Sequence, residues 1–131
     1  MNQNTHRQGL EEIKFSQDDW CNLLSISHRY ECEGARERAI KEINKLVTPV
    51  SDIDKIAMAE KYGVEEWLLP ACVALAERGD PLTYAEADKL GMGMTVLVGE
   101  AREKYIGNEY DNYSGQPKKA TQIVKGILGI K

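Results

Sequence analysis

The first constraints on this chain come from what it lacks. No stretch approaches the length of a membrane span, and the first twenty residues hold no apolar run, so neither a spanning helix nor a secretory signal is expected. No strand-like alternation of useful length appears, which leaves an all-α class. Cysteine is scarce. The three, Cys21, Cys32 and Cys72, fit no disulfide framework and no C-x-x-C spacing. Each falls within an apolar helical pattern, so reduced, buried thiols in the cytoplasm or nucleus are expected.

Reactive constellations are missing as well. His28 and Cys32 are four apart, but a structural zinc site needs four ligands in short paired spacings, and His6 lies in a polar terminus. Ser25, Ser27 and His28 have no nucleophile elbow and no orienting acid beside them. Gly91-Met92-Gly93-Met94 lacks the Lys and Ser/Thr of a phosphate-binding loop, and no strand precedes it. The reading is therefore a non-enzyme, with no catalytic residue, no metal and no cofactor. The net charge of -4 argues against nucleic acid as a partner. The most basic helix, near 35–46, is interrupted by Glu37 and Glu42.

What is present is helical. The 131 residues suit one domain with a core of its own. Residues 1–14 are polar, aperiodic and expected to be flexible. Ser16 caps a helix with Asp18 and Asp19 in its first turn, and Trp20, Leu23, Leu24 and Ser27 share a face. Ala35, Ala39, Ile40, Ile43 and Leu46 form the stripe of a second helix, ended by Thr48-Pro49. Ser51 opens a third, with Asp54 at the capping-box position, and Tyr62-Gly63 stops it. A fourth runs from about Glu65 to Arg78, with Pro70 near its first turn and Trp67, Leu68, Ala71, Cys72 and Leu75 inward. Thr83 and Glu86 make a capping box for a short fifth helix ending at Leu90-Gly91. A sixth turns Met94, Leu97, Val98, Ala101 and Tyr105 inward. Short loops predict stacked antiparallel helical hairpins, five to seven helices in all. The expected core comprises Trp20, Leu24, Ala39, Ile40, Ile56, Tyr62, Trp67, Leu68, Leu75 and Leu97. Arg36, Arg78 and Arg102 are candidates to fork onto a carboxylate or a helix C-terminus.

The organisation reads as a helical domain over 15–107, a turn-rich linker over 108–117 and a basic amphipathic segment over 118–131. That last segment holds four Lys and no acid. It is the candidate partner-binding element, through Lys118, Lys119, Ile123, Lys125 and Ile127. Docking on the body, or self-association into a homo-oligomer, is favoured over membrane binding, because the apolar cluster is short and no Trp or Phe marks an interface.

Three stretches then carry a resemblance: DDWCNLLSISHRYECEGARERAIKEINKL, DKIAMAEKYGVEEWLLPACVALAERGDPLTYAEADKLG and EAREKY. In order and spacing they resemble the helical region that follows the BTB/POZ domain in a large fungal family of BTB proteins. The matching positions include Trp20, Arg36, Ala39, Ile40, Tyr62, Trp67, Arg78, Pro81, Thr83, Glu86, Arg102 and Glu103. The chain departs from that pattern at Cys32 and in its tail after Asn108, and the BTB domain that normally lies upstream in that family is not among its 131 residues. The resemblance implies a BACK-like helical module that places protein partners. The expected function is therefore a protein–protein interaction or scaffold module. The alternative is a small helical protein with an apolar pocket between helices.

Overall fold

The computed structural model describes residues 15–130 and is all-α, with six α-helices and no named strand among them. The flexible terminus expected over 1–14 and the final Lys131 lie outside the described residues. The chain divides into two compact units, Met1–Val50 and Ser51–Lys131.

In the first unit, α1 (Gln17–Arg29) and α2 (Glu33–Asn44) pack on each other. Ser16 caps α1 as expected, and the box is reciprocal: the Asp19 N–H donates to the Ser16 hydroxyl, and the Ser16 N–H donates to the Asp19 carboxylate. Glu31 takes a left-handed turn, φ 55°, between the helices. Trp20, Leu24, Ala39, Ile40, Ile43 and Val50 are buried. Phe15 meets Trp20 edge-on at 4.8 Å, and the Arg38 guanidinium lies 5.7 Å from the Trp20 ring centre. Ser27, buried among these, donates its hydroxyl to the Leu24 carbonyl at 3.0 Å, so it leaves no unpaired group.

The second unit contains α3 (Asp52–Tyr62), a 3-10 turn (Glu65–Trp67), α4 (Leu68–Glu77), α5 (Tyr84–Ile106) and α6 (Ala120–Leu128). Helix α4 is the most apolar, and it touches α3, α5 and α6. The 3-10 turn resolves the position of Pro70: the α-helix starts at Leu68, so the proline sits in its first turn, where an N–H has no intrahelical acceptor. Gly63 stops α3 in the left-handed conformation, φ 69°. The box expected at Ser51 closes on one side only. Ser51 accepts from the Asp54 N–H, while the Asp54 carboxylate faces Lys89 at 3.4 Å.

Two helices are expected on either side of Gly91, and α5 is two helical stretches that meet there in a kink, with Gly91 alone outside helical geometry (φ 83°, ψ 164°). No L side chain adopts that backbone without strain, and glycine turns the chain without a loop. The core of this unit gathers Ile53, Ile56, Cys72, Leu75, Leu90, Met94 and Val98, together with Ala120, Ile123 and Val124 of α6. The tail is therefore part of the core and not an appendage. Of the remaining expected core residues, Trp67 is buried, Leu68 and Leu97 are half-buried against the cluster, and Tyr62 is half-buried. The 108–117 linker is an ordered turn. Tyr110 bridges Pro117, and Asp111 accepts from the Tyr113 N–H and the Ser114 hydroxyl.

Two substitutions test this account by chemical denaturation. Gly91→Ala is expected to cost about 1–3 kcal/mol through its backbone conformation. Ile123→Ala is expected to cost about 2–5 kcal/mol, the range for truncating a buried aliphatic side chain; a loss near zero would place α6 outside the core.

Candidate functional site

Polar groups concentrate where α4 ends. The last carbonyls of a helix have no intrahelical donor, and here that of Leu75 is buried. Arg102, on the buried side of α5 and only 8 % exposed, supplies the donors. Its Nη1 donates to the carbonyls of Leu75 at 2.7 Å and Arg78 at 2.6 Å, and its Nη2 donates to Gly79 at 3.4 Å. A guanidinium holds five donors in a rigid fork, so one side chain can cap several carbonyls at once.

Arg78 begins the next layer. Its two terminal nitrogens grip the Glu86 carboxylate at 2.9 and 2.8 Å, while Nε and Nη2 donate to the Asp80 and Pro81 carbonyls. Glu86 also accepts from the Thr83 N–H at 2.9 Å, and the Thr83 hydroxyl accepts from the Glu86 N–H at 3.1 Å. The Arg78 hydrogen bond, followed by that of Thr83, holds the Glu86 carboxyl down to about 2. A carboxylate that acidic and fully engaged is a poor general base at neutral pH. The cluster clamps the α4–α5 connection shut, which is a structural task. Arg78 and Arg102 thus perform the two roles expected of them, one on a carboxylate and one on a helix C-terminus. Arg36 lies 3.9 Å from the Glu33 carboxylate, one turn before it on α2.

A second charged region lies between the last turns of α5 and α6. There Lys104 meets Glu100 at 3.0 Å, and Lys118 meets Glu109 at 3.4 Å. The Glu100 hydrogen bond pushes the Lys104 ammonium above its ordinary value, with Glu109 adding to the effect. These pairs border a cleft of about 350 Å³ that also reaches Gln122, Ile123, Gly126 and Ile127.

The five residues expected to bind a partner differ in exposure. Lys119 is exposed and Lys125 half-buried, Lys118 is tied to Glu109, and Ile127 rests half-buried on the core. Ile123 is corrected outright: at 3 % exposure it packs inside the unit and cannot meet a partner. The expectation of three buried thiols holds for Cys72 alone, pushed up to about 11 by burial and then by Glu60. Cys21, within α1, is half-buried, and Cys32 is exposed at the turn before α2. The apolar inter-helix cavity beside Cys72, Val98 and Val124 measures about 10 Å³, close to the space of one water and far below that of a lipid.

Among the described residues no group of three His, Cys, Asp or Glu is placed to hold a metal ion, and no helix is long and apolar enough to cross a membrane. Two features escape sequence reasoning. Glu86 is readable as a helix cap but not as the partner of Arg78, eight residues away across an irregular loop. The Glu100–Lys104 pair does leave a signal, an acid four residues before a base on one helix. No family model matches the chain, and neither a curated protein nor a solved structure matches it.

The clamp predicts a particular response to acid. The Glu86 carboxyl has an ordinary value of 4.5 that folding lowers to about 2. Its contribution is therefore complete above pH 4.5 and is lost as the pH falls toward 2. The difference in denaturant midpoint between wild type and Glu86→Gln should be largest near neutrality and shrink through that window. A gap that stays constant with pH would remove the carboxylate charge from the account. Arg102→Leu should destabilise by about 1–3 kcal/mol, since it strips the donor from the buried Leu75 carbonyl and from the partly buried Arg78 carbonyl.

Proposed function

We propose that this chain is a non-catalytic protein–protein interaction module, comparable to the BACK-like helical region that follows the BTB domain in fungal BTB proteins. Support comes from the positions that carry the resemblance. Arg78, Thr83, Glu86 and Arg102 converge on the clamp that fixes α4 against α5, and Trp20, Ala39, Ile40 and Trp67 are buried in their units. The polar residues at these positions hold helices in place and do not surround a reacting atom.

A rigid scaffold also needs a surface to present. The observation that carries the reading is the outward side of α5, where Met92 is 85 % exposed and Val96, one turn on, is 62 % exposed. Large apolar side chains on an otherwise well-packed helix suit burial by another protein. The partner in this proposal is a protein. The proposed compartment is the cytoplasm or nucleus, where thiols such as the exposed Cys32 stay reduced.

The test is affinity capture from extract with wild type and with a Met92→Glu/Val96→Glu variant shown to keep its helical spectrum. One protein retained in stoichiometric amount by wild type and lost with the variant is the expected outcome. Equal retention by both would exclude this face. Retention of no protein, with the folded chain also remaining monomeric by light scattering, would overturn the module reading.

A further inference from the structure

The cleft between α5 and α6 has a size and a charge pattern that select a ligand. Its volume, about 350 Å³, falls within the range of small-molecule sites. Two ammonium groups and two carboxylates border it, Lys104 with Glu100 and Lys118 with Glu109. An anion there would face both carboxylates, and a cation would face both ammoniums. A molecule carrying one charge of each sign meets neither problem. We infer that this cleft binds a small zwitterion, a free amino acid or a short peptide, with its carboxylate on Lys104 and Lys118 and its ammonium on Glu100 and Glu109.

The existing ion pairs do not block this. Each ammonium has three donors and spends one on its glutamate, so both can also donate to an incoming carboxylate. The pairs are also partly solvated, and such pairs exchange at little cost. Ile127, half-buried in the cleft lining, supplies an apolar floor for a ligand side chain. Gly126 completes the wall. Glycine is a poor helix former, and a Cβ built there meets no atom within 4 Å, so internal packing does not require it. Glycine at this point keeps the cleft open.

The site is independent of the interaction surface on α5, and its test uses the full chain. Backbone NMR spectra are recorded with L-leucine and the dipeptide Gly-Leu, and in parallel with leucinamide and N-acetylleucine. At least one of the two zwitterions should give saturable shifts at Gly126 and Lys104, and which one does so separates a free amino acid from a peptide. Leucinamide, without the carboxylate, and N-acetylleucine, without the ammonium, should each bind at least about tenfold more weakly, the loss for one charge-assisted contact. Gly126→Leu should abolish the shifts without lowering the thermal midpoint, and Lys104→Met should weaken them in a folded chain whatever the fate of the leucine variant. The inference fails if neither zwitterion shifts the cleft signals at roughly 50 mM, well above millimolar affinity. It also fails if the blocked compounds bind equally well, or if Lys104→Met binds like wild type.

Discussion

The last carbonyls of a helix lack intrahelical donors, and in the second unit a side chain from α5 meets that need at the end of α4. Arg102 reaches from the buried side of α5 to the Leu75 and Arg78 carbonyls. Because its guanidinium is rigid, the contact sets how close α5 lies to the end of α4, and not merely that the two touch. Arg78 and Glu86 then draw in the Gly-Asp-Pro connection, which lets a chain with little regular hydrogen bonding make a short, closed turn. The apolar layer of Leu75, Met94, Val98 and Val124 can pack tightly only once that end is sealed.

Much of this was legible in the residues, and the reasons are local. Ser16, Ser51 and Thr83 act through atoms within three positions of themselves, so their caps show in the sequence. Trp20 and Trp67 share a helical phase with apolar neighbours, and their burial follows. Long-range partners were hidden. Nothing in the spacing joins Arg102 to Leu75, and nothing distinguishes a buried Ile123 from a presented one, because an amphipathic helix looks the same whether its own core or a partner covers it. The break at Gly91 was visible, but not its economy: a single residue outside helical space replaced an expected loop.

The polar chemistry of the molecule falls into two kinds. At the clamp the charges are consumed: Glu86 is pinned by Arg78 and Thr83, and its acidity reflects that confinement. Along the α5–α6 cleft the charges are paired but accessible, with donors left over. The first kind ties helix ends together, and the second leaves donors for the proposed ligand. The outward apolar residues of α5 stand apart from both and are the contact surface of the proposed interaction module.

The ordered turn over 108–117 has a consequence for how α6 is held. The turn tethers the helix like a built-in ligand, so docking is intramolecular, at an effective concentration of about millimolar or more. Gly115, left-handed at φ 68°, lies at its exposed tip, the sort of position proteases nick. A cut there would leave every contact of α6 intact and yet convert it into a dissociable fragment. Its hold on the core would then depend on how dilute the solution is, as in a split reporter reassembled from two pieces.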